Sequence, residues 1–258
     1  MNRRGDRPMH PIETFAQMIR ESNHTVFFGG AGVSTESGIP DFRSESGLYA
    51  AQQNYGYAPE ELIFHGLFRR DPALFFRYYK ENLIHINAKP NAAHKALAKL
   101  EQNGLMQTVI TQNIDGLHQS AGSRSVLELH GSNWRQYCMG CDARYDLAYI
   151  LDAANCKDGV IPICMKCGSM VRPDVVLYGE GLDSTVVQAA MDAISAAELL
   201  IVGGTSLAVY PAAGLLEYFK GDTLVLVNKS ETPADGSAQL VIHEAIGQVF
   251  SDVMEVLL

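Results

Sequence analysis

Four of the five cysteines fall in two pairs, Cys138-Met-Gly-Cys141 and Cys164-Met-Lys-Cys167, with 22 residues between them. A two-residue gap lets both thiolates of a knuckle reach one ion at about 2.3 Å, and two knuckles complete a closed tetrahedral site. The pattern reads as Zn2+ held by Cys138, Cys141, Cys164 and Cys167, with Gly140 and Gly168 at the tight turns. Two redox pairs or buried thiols are the competing reading. Four protein ligands leave no open coordination position, so this zinc is expected to be structural rather than catalytic. Cys156 lies off the pattern.

Two glycine loops suggest a second kind of chemistry. Gly29-Gly30-Ala31-Gly32 follows the apolar run His24–Phe28, and Gly203-Gly204-Thr205-Ser206 follows Leu199–Val202. A strand that runs into such a loop can present backbone N–H groups to a phosphate. A dinucleotide-binding dehydrogenase would show G-x-G-x-x-G and an acid about 20 residues on. Here Gly30-Ala31-Gly32 leads into Val33-Ser34-Thr35, and the positions near 50 read Tyr-Ala-Ala. The ribose-reading acid is missing from the first unit, while in the second a later strand ends at Asn228, which can take its place. Either loop alone is a weak signal.

The elements that must position these groups alternate. Residues 11–22 place Ile12, Phe15, Met18 and Ile19 on one helical face, and 92–103 form a helix with Gly104 as its cap. Leu105–Ile110 reads as a strand, as do Leu199–Val202, Thr223–Val227 and Leu240–Ile242. Val186–Ala197, Pro211–Phe219 and Ala245–Leu257 read as helices. Strands alternating with helices imply an α/β fold, a parallel sheet covered on both faces. Two stretches break the alternation: 45–88 is aromatic-rich and helical in pattern, and 137–171 holds all five cysteines. The expected organisation is a Rossmann-like sheet domain over 11–44, 89–136 and 172–258. The helical insertion 45–88 and the zinc-binding insertion 137–171 would together form a smaller domain.

Composition narrows the class. The net charge of −9 opposes a nucleic-acid role for the cysteine module. It suits solubility, or attraction of a lysine-rich peptide. No apolar run reaches the roughly 18 residues of a membrane span, and Met1–His10 has no apolar core. Cysteines paired for metal then point to a cytoplasmic protein.

Longer strings carry more than ordinary folding demands. They are Gly30-Ala-Gly-Val-Ser-Thr-Glu-Ser-Gly-Ile-Pro-Asp-Phe-Arg43, Thr111-Gln-Asn-Ile-Asp-Gly-Leu-His118 and Glu128-Leu-His-Gly131. To these add Arg172-Pro-Asp-Val-Val-Leu-Tyr-Gly-Glu180, Gly204-Thr-Ser-Leu207 and Val227-Asn228. In this order, with the cysteine pairs between the third and fourth, the chain resembles the sirtuin family of NAD-dependent protein-lysine deacylases, bacterial-type, from about residue 24 to its end.

The resemblance implies that NAD and an acylated lysine of a protein substrate meet in a cleft between the two domains. Residue by residue, Ala31, Thr35, Phe42 and Arg43 match the loop that covers NAD, and Ser34 its ribose contact. Gln112, Asn113, Ile114 and Asp115 match the pocket around the nicotinamide and its ribose, with Asn113 orienting a hydroxyl or water. His130 matches the general base, a role that needs a pKa near neutrality. Thr205, Ser206 and Asn228 match phosphate, ribose and adenosine contacts, with Ile242 near the adenine. Val176 and Tyr178 match the segment that pairs with the substrate peptide and lines the acyl-lysine tunnel. His118 and the aromatics of 45–88 read as packing residues.

Two positions depart from the family pattern. Gly29 stands where threonine is usual and should loosen the first loop, and Tyr178 replaces a more usual phenylalanine. The tyrosine–arginine pair of members selective for acidic acyl groups is not evident in 48–60, which favours acetyl-lysine. The expected products are free lysine, nicotinamide and O-acetyl-ADP-ribose. ADP-ribosylation of protein on the same scaffold, a preference for longer acyl groups, and a non-catalytic NAD-sensing module are the alternatives. The protein targets and the oligomeric state are not legible in the sequence.

Overall fold

A computed structural model of the chain describes residues 9–40 and 51–257. Its strands are β1 (Thr25–Gly29), β2 (Thr108–Thr111), β3 (Val126–Glu128), β4 (Gly131–Cys138), β5 (Arg144–Asp146), β6 (Cys156–Lys157), β7 (Ile161–Pro162), β8 (Val171–Val175), β9 (Leu199–Gly203), β10 (Thr223–Val227) and β11 (Leu240–Ile242). Six of them form a parallel sheet in the order β11-β10-β9-β1-β2-β3. This bears out the Rossmann-like expectation. Every residue of β1 and β9 is buried, as a sheet covered on both faces requires.

Successive side chains of a strand point to opposite faces, and β1 divides its residues accordingly. Phe27 joins one core with Phe15, Ile19, Leu97, Val249 and Phe250, while Val26 and Phe28 join another with Ile194, Leu200 and Leu226. The first core is built by the helices Pro11–Glu21, Ala92–Gln102 and Ile246–Leu257, which lie where their apolar periodicity placed them. Asn91 caps the second of these, accepting from the N–H groups of Ala93 at 3.0 Å and His94 at 3.4 Å. Gly104 ends it at φ +75°. The helix expected over Pro211–Phe219 is a 3-10 helix over Ala212–Tyr218.

The two departures from alternation share a single core. Phe68, Phe75, Phe76 and Tyr79 of the helical stretch pack with Cys138, Leu147, Ile150, Cys164, Val171 and Val175. An antiparallel sheet β5-β4-β8 and the pair β6-β7 complete this region. Most aromatics of 51–88 are thus core, as expected, although Phe64 is 47% exposed.

His118 also packs, as expected. Its ring lies 4.7 Å from that of His94, and both are buried in the sheet core beside Phe27. Burial lowers His118 to about 3 and His94 to about 4. A histidine whose folded pKa is depressed contributes stability that is present above its unfolded value near 6.5 and lost as pH falls below it. His118→Phe is therefore expected to flatten the fall in Tm between pH 6.5 and 4 in scanning calorimetry. An unchanged acid slope would mean that His118 is protonated in the fold.

Candidate active site

The sheet order reverses between β1 and β9. β2 and β3 extend to one side and β10 and β11 to the other, so the loops leaving the carboxyl ends of β1 and β9 open a crevice. The two glycine loops line its floor. Gly32 N–H donates to Gly204 O at 2.8 Å, and a Cβ on Gly32 would lie 2.8 Å from the Gly204 Cα. Only glycine permits that approach.

A cavity of about 460 Å³ occupies this crevice. Ala31 and Ser34 border it from the first loop, Thr205 and Ser206 from the second, and Gln112, Asn113, Ile114 and Asp115 from the loop after β2. His130, Val176 and Tyr178 border it as well. Of the other expected site residues, Thr35 does not border the cavity; its hydroxyl donates to Gly32 O at 3.0 Å and closes the turn. Asn228 lies beyond the end of β10, with its amide on Ser230 O at 2.8 Å. Ile242 is 5% exposed in the core. Phe42 and Arg43 lie outside the described residues.

Hydrogen bonds lock the polar groups together. Ser34 Oγ donates to Asp115 Oδ2 at 2.6 Å, and Leu117 N–H donates to Asp115 Oδ1 at 2.8 Å. Burial raises the Asp115 carboxyl above its ordinary range, against the lowering effect of those two donors. Asn113 Nδ2 donates to Gly30 O and to Ser34 Oγ, both at 3.0 Å. That orients the amide so that Oδ1 is the atom left to accept from a hydroxyl or water. Gln112 Nε2 reaches Thr205 Oγ1 at 3.2 Å and so joins the two loops. His130 Nδ1 lies 2.8 Å from Gln112 O. A carbonyl only accepts, so Nδ1 carries the proton and Nε2 is the basic nitrogen of the neutral ring.

The four paired cysteines meet in space. Their sulfurs lie within 4.8 Å of one another, with Cys138 to Cys167 at 3.3 Å and Cys141 to Cys164 at 3.7 Å. Gly140 N–H donates to Cys138 Sγ at 3.3 Å and Lys166 N–H to Cys164 Sγ at 3.4 Å. The Tyr145 hydroxyl, 3.0 Å from Cys164 Sγ, leads the groups that bring that thiol down to about 6. Four converging sulfurs supplied with N–H and O–H donors fit a tetrahedral Zn2+. Cys156 is apart from them, 3.4 Å from Lys80 Nζ.

A model of the Sir2 family matches residues 30–211. The chain belongs to the Sir2 family. It is 55% identical over 245 residues to an NAD-dependent protein deacetylase of Clostridium perfringens, covering 95% of this chain and 98% of the relative. It is 53% identical to the protein of the same description from Cutibacterium acnes, with 93% and 96% covered. A solved Sir2 with a p53 peptide and NAD+ superposes with a TM-score of 0.84 at 40% identity, covering 96% of this chain and 98% of the other. Another, with a deacetylated p53 peptide and 3'-O-acetyl ADP ribose, gives 0.85 at 40% identity, with 95% and 97% covered.

Within this Sir2-family chain, one expectation needs correction. Gly29 does not loosen the first loop. It is the last residue of β1, in register with Thr111 and Gly203. The volume a side chain would need is filled by the Phe27 ring, which would lie 2.6 Å from a Cβ. The segment carrying Val176 and Tyr178 is held from both sides. Val176 N–H donates to His130 O at 3.0 Å, Tyr178 N–H donates to Ile63 O at 3.1 Å, and Tyr178 O accepts from His65 N–H at 2.8 Å.

Sequence reasoning assigned no role to the group that anchors this segment. Arg172 donates to Glu180 Oε1 at 2.7 Å and to Oε2 at 2.9 Å, Leu177 N–H donates to Oε2 at 2.9 Å, and His65 Nδ1 lies 2.7 Å from Oε1. Burial would raise the Glu180 carboxyl, but these donors, Arg172 foremost, bring it down to about 2. Arg172 and Glu180 stand eight residues apart at the ends of one string. That spacing is the only signal of the pair in the sequence. Asn133 was likewise overlooked: its N–H donates to Ile114 O at 2.9 Å, and its Nδ2 donates to Leu83 O at 2.7 Å.

Proposed function

We propose that this chain removes acetyl groups from protein lysines at the expense of NAD, forming nicotinamide and O-acetyl-ADP-ribose. The observation that carries the reading is the meeting of Ser34, Asn113, Asp115 and His130 in one cavity at the reversal point of a parallel sheet. When bound, NAD supplies the ribose carbon that the acyl oxygen attacks as nicotinamide leaves. Asp115 holds the carboxamide, its own orientation fixed by Ser34 and Leu117. Asn113 Oδ1 orients a ribose hydroxyl or water, and His130 Nε2 takes the hydroxyl proton. The enclosing walls shield the ribose carbon from bulk water while nicotinamide leaves, and one water is consumed afterwards, when the lysine amine is released and the acetyl group stays on the ribose. Thr205 and Ser206 hold phosphate and ribose at the second loop, with Asn228 and Ile242 toward the adenosine end and Thr35, Phe42 and Arg43 in the covering loop.

We assign 11–44, 89–136 and 172–258 to the NAD-binding domain, and 45–88 with 137–171 to the smaller one, supported by the core those two insertions share. Zn2+ on the four cysteines stabilises the smaller domain and takes no part in the chemistry. Cysteines gathered for metal also favour a cytoplasmic location. Among the described residues, no helix is long and apolar enough to cross a membrane.

Among the described residues, no lysine or arginine borders the cavity, while Asp115 and Glu180 do. The reading of 44–60 as free of cations extends over residues outside the described ones and supports the same view. The terminal carboxylate of a succinyl-lysine would be buried there with no lysine or arginine to pair it, at a cost of several kcal/mol, and about 1.4 kcal/mol is tenfold in kcat/KM. Steady-state kinetics on one peptide carrying either group should therefore favour acetyl over succinyl by about a hundredfold. Comparable efficiencies would require a cation reaching the cavity. Mass spectrometry of an acetyl-lysine peptide incubated with the protein and NAD tests the reaction itself. Loss of acetyl with formation of O-acetyl-ADP-ribose is the expected result, whereas ADP-ribose left on protein would replace this reading with that of a transferase.

A further inference from the structure

We propose that Trp134 is a positioning residue that holds the Asp115 loop in its nicotinamide-binding geometry; the inference rests on the NAD reading above. Trp134 is the single tryptophan of the chain and sits in β4, four residues after His130. Its Nε1–H donates to Asp115 O at 2.7 Å. The preceding residue, Asn133, donates its N–H to Ile114 O at 2.9 Å. Two consecutive residues of β4 thus hold two consecutive carbonyls of the loop. The next loop residue, Gly116, has φ +73°, and a Cβ there would lie 2.6 Å from the indole Nε1 and 2.7 Å from Cδ1. The indole therefore rests directly against the loop backbone.

Ordinary core packing does not account for the residue. Trp134 is 47% exposed and belongs to none of the buried clusters. Nor does it border the cavity, so it touches neither substrate and acts through Asp115. Asp115 is then fixed at three points: Ser34 on Oδ2, Leu117 N–H on Oδ1 and Trp134 on the main-chain carbonyl. Releasing the third lets the peptide plane of Asp115 rotate, and the carboxylate moves with it. Because β4 begins immediately after His130, the same strand sets the register of the base and of this loop.

Trp134→Phe keeps an aromatic ring and removes the donor. With the fold intact by thermal melt, KM for NAD and the nicotinamide concentration that half-inhibits turnover should both rise about 3- to 10-fold, the worth of one hydrogen bond. KM for the acetyl-lysine peptide should stay within twofold. A merely structural residue would lower kcat and Tm while leaving both KM values alone, and that result overturns the proposal, as does an NAD dependence unchanged within twofold.

The wild-type protein supplies an independent measurement, because all indole fluorescence comes from Trp134. Titration with NAD, and separately with nicotinamide, should shift its emission with saturation. An emission indifferent to saturating NAD refutes the positioning role even if the variant does not fold. Absence of deacetylation by the wild-type protein would remove the functional reading, while the emission titration would still decide the role of Trp134.

Discussion

His130→Ala should lower kcat/KM for an acetyl-lysine peptide by 10²- to 10⁴-fold, the usual worth of a general base (roughly that range). The expectation follows from how the ring is held. Nδ1 donates to Gln112 O at 2.8 Å, so the neutral imidazole keeps its basic lone pair on Nε2, and His130 itself borders the cavity. The backbone contact from Val176 N–H to His130 O at 3.0 Å does not involve the side chain and survives the substitution. The Tm should therefore move by only a few degrees while turnover collapses. Near-wild-type turnover in a well-folded variant would take the role of base away from His130.

Loss of one zinc ligand should be felt far from the cysteines. Cys164→Ala leaves three thiolates where a closed site needs four, and structural zinc contributes its binding energy to folding, on the order of 10 kcal/mol in small zinc peptides. Cys138 and Cys164 belong to the same core as Phe68, Phe75, Phe76, Val175 and Leu177. Leu177 and Val175 also border the cavity. Metal loss should thus lower the Tm by well over 10 °C and abolish activity together with the folded signal of the smaller domain. Zinc content by atomic absorption, followed against circular dichroism and turnover during chelation, tests this directly. A metal-free variant of unchanged Tm would mean that the cysteines do something other than hold zinc. Cys156→Ala, outside the sulfur cluster, should leave zinc content unchanged.

The chemistry was largely legible in residue types and spacing, because much of it is local. A two-residue gap between cysteines sets ligand reach whatever the fold around it, and all four sulfurs converge as that spacing implies. The residues Gln112 to Asp115 share one loop after a strand, so where one of them faces the crevice the others follow. Short apolar runs likewise announced β1, β9, β10 and β11, and helical periodicity the helices packed on them.

Relations between distant segments were decided only by the tertiary structure. Sequence spacing identified the strands, yet the reversal between β1 and β9 that opens the crevice depends on how helices from both halves cover the sheet. Gly29 looked like a source of looseness, but the Phe27 ring fills the volume beside it. Thr35 stands in the same string as Ser34, yet its hydroxyl closes a 3-10 turn while that of Ser34 reaches Asp115, 81 residues away. Trp134 carried no motif at all, and its bond to a main-chain carbonyl leaves no trace in the identity of its partner. Spacing along a chain determines which ligands can share an ion or a loop. Which backbone groups meet across tens of residues depends on the packing of whole elements, and no short stretch of sequence encodes that.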